Sequence, residues 1–285
     1  MSASIEQMLI LDGAREPEQV ETPVGGGTIV AFTCPAPDKE TENEDTVAAI
    51  PYGPDAAVLV VADGAGGLPG GRRASRTAVR SLEAVLKAAM SEHELLRTVI
   101  LNGIEAANQA VQELGNGSAT TLTVVTIEDH IARTYQIGDS EAVIVGQRGA
   151  VKSQTMPHSP TGFAVEAGFL DVRDALHHEE RHIVSNFLGT SDMRIDMGAE
   201  TRLRPRDTVM LASDGLTDNI HFDEITEFIR KGPMSAAVTS ITALARRRMT
   251  VESKHQPSKP DDLSIILFRK PYRKKPASGK PAAER

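Results

Sequence analysis

Short acidic steps are each set at the end of an apolar, strand-like run of this 285-residue chain. They are Asn43-Glu44-Asp45, Asp63-Gly64, Gly138-Asp139-Ser140, Asp214-Gly215 and Asp261-Asp262. An aspartate at the end of a buried strand holds its carboxylate at a fixed point, so such steps can converge. Two carboxylates about 4 Å apart repel by roughly 4 kcal/mol at an effective dielectric near 20, so a converging set needs a cation. Mg²⁺ and Mn²⁺ prefer oxygen ligands, and the pattern therefore predicts metal-assisted chemistry.

Any one of these aspartates alone has a simpler interpretation. Asp-Gly is a favoured turn pair, so each step could be no more than a surface turn. The order of the steps and their strand context favour the metal site over a set of unrelated turns.

Composition and charge bound the class of protein. The 40% hydrophobic content supplies a core for one large domain. The net charge is −8, with eleven acidic and two basic residues in 1–60, which argues against a nucleic-acid binder. Cys34 is the only cysteine, which excludes an internal disulfide and fits a reducing compartment. Residues 1–11 lack the basic start of a signal peptide, and no apolar run approaches the roughly 20 residues of a membrane span. We expect a cytoplasmic location.

The apolar pattern predicts one domain over residues 28–268. Residues 1–27 read as a mostly loose extension that packs through Met8, Leu9 and Ile10, and the basic segment 269–285 reads as a disordered tail. Strands are expected at 28–33, 56–62, 120–127, 131–137, 142–145, 208–212 and 263–268, and helices at 74–89, 96–114, 223–230 and 235–249. The three strands between 120 and 145 are expected to form one antiparallel meander. Paired helices between such strands indicate a layered α+β sandwich.

The motifs occur in the order found in a known family. Besides the acidic steps, they include residues 60–67, 117–121, 211–216 and 261–264. From about Thr28 to Phe268 the chain resembles the metal-dependent serine/threonine protein phosphatases of the type 2C or PPM family, bacterial type. The resemblance implies a four-layer α-β-β-α sandwich, two antiparallel sheets flanked by helix pairs, with two Mn²⁺ or Mg²⁺ ions at one end.

The resemblance also implies metal ligands. The residue matching Asp63 bridges both ions, and the carbonyl of Gly64 binds one of them. The residues matching Asp214 and Asp261 bind the other ion.

The resemblance also implies supporting roles at the metal centre for four further residues. Glu44 contacts a metal, partly through water, and Asp45 orients metal-bound water. Asp139 matches the ligand of a third, weaker ion, and Ser264 lies beside the centre as a support. Asp45, Asp63 and Asp214 are thus the expected catalytic set.

The implied activity is hydrolysis of phosphoserine and phosphothreonine in a phosphorylated protein, by direct attack of a hydroxide that bridges the two ions. A serine/threonine kinase would oppose it. The alternative is a catalytically weak or inactive phosphatase-like protein that binds or regulates a partner. Glu40 favours this alternative, since many relatives carry a phosphate-binding arginine there.

Two departures concern the substrate. Lys39, Arg72 and Arg73 are the candidates to replace the missing arginine, although the two arginines could simply be solvated residues at a helix start. Ala65 stands where animal members carry a histidine, so the leaving group must be protonated by metal-bound water or another residue.

Other motifs have weaker functional interpretations. The glycine run 64–71 lacks the Gly-Lys-Ser/Thr ending of a nucleotide-binding loop. His177, His178 and His182 could bind zinc, but they lack the usual cysteine or Glu-x-x-His context and fit a variable flap beside the cleft, with Arg181 and Asn186. His158 reads as structural. The basic tail could meet acidic partners or a membrane surface, and a flexible end is the other interpretation.

Overall fold

The computed structural model describes residues 8–65, 70–91, 94–115, 117–251, 253 and 256–271. These residues form two antiparallel sheets. The first has strand order β1-β4-β5-β6-β7-β10, with β11 also paired to β7, and the second has order β2-β3-β13-β12-β8-β9. The first sheet contains β1 (Leu9–Asp12), β4 (Thr46–Pro51), β5 (Ala56–Ala62), β6 (Leu122–Glu128), β7 (Ile131–Ile137), β10 (Asp196–Met197) and β11 (Thr201–Arg202). The second contains β2 (Glu18–Val24), β3 (Gly27–Cys34), β8 (Glu141–Val145), β9 (Val151–Gln154), β12 (Thr208–Ala212) and β13 (Leu263–Arg269).

Helices cover the outer face of each sheet. The helices are α1 (Gly71–Ala89), α2 (Leu96–Gln112), α3 (Pro160–Glu166), α4 (Val172–Ala175), α5 (Asp214–Thr217), α6 (Phe222–Ile229) and α7 (Met234–Thr250), with a 3-10 turn at Glu179–His182. Helices α1 and α2 pack on the first sheet, and α5 to α7 pack on the second. No helix within the described ranges has both the length and the apolarity that crossing a bilayer requires.

The alternation of side chains along β5 shows why the strand is apolar throughout. Val58 and Val60 face α1 and α2, whereas Leu59 and Val61 face the second sheet. Successive side chains of a strand point to opposite faces, so a strand covered on both sides has no polar face. Apolar layers thus lie between the sheets and under each helix group, which confirms the predicted four-layer α-β-β-α sandwich.

The amino-terminal segment differs from the prediction. Strand β1 pairs with β4, and β2 pairs along its whole length with β3, so the expectation of a loose extension is wrong for residues 9–24. Both strands lie at sheet edges and are only partly buried, so their apolar alternation is weak in the sequence. The expected packing through Met8, Leu9 and Ile10 is confirmed. Residues 1–7 lie outside the described residues.

The predicted meander is also corrected. Strands β6 and β7 pair as expected, but β8 pairs with β12 and β9 in the other sheet. Residues 138–140 therefore carry the chain from one sheet to the other. A tight turn and a short crossover have the same composition, so the pattern alone could not separate them.

The carboxyl-terminal boundary shifts by a few residues. Arg269 belongs to β13, and Lys270 is buried, with its ammonium near the carbonyls of Asp55 and Asp129. The tail predicted from residue 269 is therefore ordered through Pro271, and residues 272–285 lie outside the described residues.

Candidate metal centre

The strand register brings the acidic steps to one end of the sandwich. In the first sheet Thr46 pairs with Ala62, so Asp45, which precedes β4, and Asp63, which follows β5, lie side by side. In the second sheet Ala212 pairs with Ile265, which sets the segment after β12 against the segment before β13. Asp214 and Asp261 occupy those two segments.

Asp139 joins the cluster through the crossover between the sheets. Gly138 has φ 97°, and a Cβ on it would lie 2.6 Å from Thr121 Cγ2 and 3.2 Å from Thr121 Cα. Only glycine fits this conformation and this close approach. The crossover can therefore hold Asp139 at the same end as Asp63 and Asp214.

The pKa of Asp63 reflects the other carboxylates around it. Burial is the main cause that raises the pKa of Asp63 well above its usual value, and the carboxylates of Asp45, Asp214, Asp261 and Asp139 raise it further. Each of these groups therefore lies close enough to oppose a charge on Asp63. The cluster needs protons or cations to be stable.

Three buried carboxylate oxygens lack a hydrogen-bond partner within the described part of the chain. They are Oδ1 of Asp45, Oδ1 of Asp214 and Oδ2 of Asp218, the last of which lies 3.1 Å from the Lys259 ammonium. Asp45 and Asp214 are 1% and 9% exposed. A buried carboxylate oxygen without a partner costs free energy, because it has lost its water. Oxygen atoms of this kind fit a hard divalent cation.

The other oxygen of Asp45 is held by a network between the sheets. Ser213 Oγ donates to Asp45 Oδ2 at 2.9 Å, and Ser264 N donates to Ser213 Oγ at 3.0 Å. Ser264 Oγ also lies 2.8 Å from Thr33 Oγ1, to which Asn43 donates. Ser264 thus belongs to the network that fixes the direction of the Asp45 carboxylate.

Lys259 and Asp218 belong to the cluster but were not predicted. The Lys259 ammonium contacts the Asp214 carboxylate and lies 3.1 Å from both Asp218 Oδ2 and Asp261 Oδ2. Burial, then the Asp214 carboxylate, raises the pKa of Asp261 to about 7 and that of Asp218 to about 6. Burial alone would lower the pKa of Lys259, but the three carboxylates raise it, so this side chain is charged.

The acidic side chains of this cluster are not arranged around a single ion position. In the parts of the chain that the structure describes, no three histidine, cysteine, aspartate or glutamate side chains are arranged to hold a metal ion as they stand. The Lys259 ammonium lies among three of the carboxylates.

Glu44 lies at the border of the cluster with Lys39. The Lys39 ammonium is 2.9 Å from Glu44 Oε2 and 2.6 Å from Asp262 Oδ2, and Glu44 N donates to Asp262 Oδ2 at 2.7 Å. Gly64 packs against the same backbone, since a Cβ on it would lie 2.8 Å from the Glu44 carbonyl oxygen. Glu44 and Gly64 are thus adjacent, as shared metal ligands would be.

Of the three basic side chains predicted to bind phosphate, Lys39 and Arg72 are paired with carboxylates. Lys39 is paired with two carboxylates, as above. Arg72 forms ion pairs with Glu42 and, at 3.8 Å, with Asp12 of β1, and Arg73 is exposed. A role of these residues toward phosphate stays a prediction.

Cys34 cannot serve as a nucleophile in this structure. It is 1% exposed, and burial raises the pKa of its thiol to about 12. The reactive form of cysteine is the thiolate, which is scarce near neutral pH at such a pKa. A cysteine-based phosphatase mechanism is excluded.

The flap residues lie beside the cluster. Arg181 donates to the carbonyl of Ser258, next to Lys259. A cavity of about 190 Å³ runs from Asp139 and Asp214 to the underside of the flap. Its apolar lining includes Met156, Val165, Leu176, Met210, Phe222 and Ile225.

The flap histidines have structural surroundings. His158 is 3% exposed, accepts at Nδ1 from Gly138 N at 3.1 Å, and places Nε2 2.9 Å from Asp196 Oδ2. This hydrogen bond from Gly138 holds the crossover that carries Asp139 in place. His178 Nδ1 accepts from Glu180 N at 3.2 Å and caps the 3-10 turn.

Comparisons with known proteins agree with this geometry. The family model "Protein phosphatase 2C" matches residues 38–251. Protein phosphatase PhpP of Streptococcus pneumoniae is 31% identical over 199 residues, which cover 67% of this chain and 80% of that protein.

Solved structures share the fold. The phosphatase MsPP from Mycobacterium smegmatis, a PPM serine/threonine phosphatase solved with cacodylate, is 25% identical with a TM-score of 0.69, over 85% of this chain and 97% of that one. The catalytic domain of the phosphatase PstP, solved with two manganese ions, is 20% identical with a TM-score of 0.67, over 85% and 96% of the two chains. The family match ends before Asp261, which strand register and the ion pair with Lys259 place beside Asp214.

Proposed function

Since this chain belongs to the protein phosphatase 2C family and is a protein serine/threonine phosphatase, we propose a mechanism for it. We propose that it hydrolyses phosphoserine and phosphothreonine by direct attack of hydroxide at a centre of two divalent metal ions. The observation that carries this proposal is the convergence of Asp45, Asp63, Asp139, Asp214 and Asp261 from both sheets at one end of the sandwich.

The donor set fits Mn²⁺ or Mg²⁺. All the groups are oxygen donors, and the unpaired oxygens of Asp45 and Asp214 need a positive partner. The two manganese ions named for the PstP structure support the same choice here. The residues proposed to hold two ions, with Asp139 serving a third, are Glu44, Asp63, Gly64, Asp139, Asp214 and Asp261.

When bound, such ions supply an activated water nucleophile and neutralise the charge of the phosphate. Asp45 orients that water: Ser213 fixes Oδ2, which leaves Oδ1 free to accept a hydrogen bond from the attacking molecule. The burial of Asp45 keeps bulk water from competing for the same oxygen.

The substrate is proposed to be a phosphorylated protein, with a serine/threonine kinase as the opposing enzyme. The cavity under the flap supports this choice, because it begins at Asp139 and Asp214 and continues into apolar side chains. A residue next to the phosphorylated serine or threonine can lie there, with Arg181 at the wall.

Phosphate release from phosphoserine and phosphothreonine peptides tests the proposal. We expect release with Mn²⁺ or Mg²⁺ and none above the uncatalysed rate in EDTA. With ³²P-labelled peptide, acid quenching should trap no labelled protein, because attack by hydroxide forms no phosphoenzyme. Hydrolysis that persists in EDTA would contradict the metal requirement, and tight peptide binding with no turnover would favour a binding protein instead.

A further inference from the structure

We propose that Lys259 is a built-in cation that holds the Asp214 side of the metal centre in the metal-free protein and must withdraw before a divalent ion can bind there. This inference rests on the proposed function, since it concerns the same centre. It assigns to Lys259 control over metal affinity.

The first support is the set of contacts around the ammonium. Lys259 Nζ meets three carboxylates, those of Asp214, Asp218 and Asp261, the last two at 3.1 Å. The ammonium donates a hydrogen bond to Asp214 Oδ2 and forms ion pairs with the carboxylates of Asp218 and Asp261. The Lys259 side chain is only 20% exposed, whereas Arg73, a candidate for phosphate binding, is an exposed residue. Lys259 therefore has the surroundings of a bound cation.

The second support is the backbone at Lys259, which is held in place. Asn219 is fully buried, and its Oδ1 accepts from Lys259 N at 2.8 Å while its Nδ2 donates to Lys259 O at 2.9 Å. The same Nδ2 lies 2.9 Å from Gly215 O in α5, the helix that begins with Asp214. These bonds fix the origin of the side chain relative to Asp214, so the contact with the carboxylates is built into the fold.

The Lys259 ammonium and a divalent metal ion compete for the same carboxylates. Asp214 and Asp261 are both proposed ligands of one ion, and both are paired with the Lys259 ammonium. A divalent ion bound to these oxygens would lie within a few ångströms of the ammonium, and like charges at that separation repel strongly. The flexible stem of lysine allows the ammonium to move away, at a cost in metal affinity.

The Lys259→Met variant tests the inference by metal binding and by stability. We expect the Mn²⁺ Kd of the site formed by Asp214 and Asp261, measured by calorimetry, to be at least about tenfold lower than in the wild type, because no ammonium has to leave. In EDTA the variant should melt at a lower temperature, since three carboxylates lose their counter-ion, and Mn²⁺ should raise its Tm by more than that of the wild type.

Lys152→Met is the matched control. Lys152 is 22% exposed and pairs with the buried Asp207 before β12, at the other end of that strand from the metal centre. Its loss should leave the Mn²⁺ Kd unchanged. Equal Kd values for the wild type and Lys259→Met would overturn the role of Lys259 and leave the proposed function standing, whereas no Mn²⁺ binding by either protein would overturn both.

A measurement on the wild type covers the case in which the variant does not fold. Limited acetylation followed by peptide mass spectrometry reports how free each lysine is. We expect Lys259 to be protected in EDTA and modified several-fold faster with saturating Mg²⁺, while Lys152 changes little. Equal modification of Lys259 in both conditions would overturn the inference.

Discussion

Replacing Asp63 with asparagine is expected to lower the rate of Mn²⁺-dependent phosphate release at least about a thousandfold. The variant loses the attraction between the Asp63 carboxylate and a metal ion, and roughly 4 kcal/mol between unit charges corresponds to that factor in rate. The carboxylates of Asp45, Asp139, Asp214 and Asp261 all raise the pKa of Asp63 beyond the effect of burial, which places Asp63 among them. Asparagine keeps the shape of the side chain and removes the charge. The fold should survive, because repulsion within the metal-free cluster decreases.

Asp207→Asn is the matched control for this experiment. Asp207 is a buried aspartate, 6% exposed, paired with Lys152 and remote from the cluster. Its replacement should leave phosphate release per folded molecule unchanged. Full activity of Asp63→Asn under the same conditions would remove Asp63 from the metal centre.

Gly215→Ala is expected to reduce phosphate release about a hundredfold, because a displacement near 1 Å at a catalytic site costs about that factor. A Cβ on Gly215 would lie 1.9 Å from Asp262 O and 3.1 Å from Leu263 Cα. Both atoms belong to the backbone, so α5 and the start of β13 must move apart. The movement separates Asp214 from Asp261, and the overpacking should also lower the free energy of unfolding by about 2 kcal/mol.

Gly146→Ala tests whether this effect is specific. A Cβ on Gly146 would lie 3.5 Å from the nearest atom, an ordinary contact. Denaturant unfolding and phosphate release, measured on both variants and the wild type, should show losses only for Gly215→Ala. Unchanged Mn²⁺ affinity and activity in Gly215→Ala would show that the contact between α5 and β13 does not position the centre.

The central part of the fold could be predicted from the sequence because it is buried on both faces. Strands β5 and β12 are apolar along almost their whole length, and they begin and end where the pattern indicates. The edge strands β1 and β2 were missed, because both are only partly buried and their apolar alternation is weak. The crossover after β7 was missed for another reason: pairing partners depend on contacts between distant segments, which local pattern does not record.

The site was predictable to the extent that it consists of aspartates at strand ends. Strand register brings Asp45, Asp63 and Asp214 together, and the motifs identify them. Lys259 was not foreseen, because a lysine in a polar loop normally faces solvent. Asp218 could have been found, since it follows Asp214 by one helical turn and thus lies on the same face.

Anomalous scattering from a crystal of the wild-type protein soaked in Mn²⁺ tests the metal centre most directly. We predict manganese peaks in contact with the carboxylate of Asp63, and with those of Asp214 and Asp261, at the end of the sandwich where the two sheets meet. Manganese bound only elsewhere, in protein that still hydrolyses phosphoserine peptides, would contradict the assignment of these carboxylates.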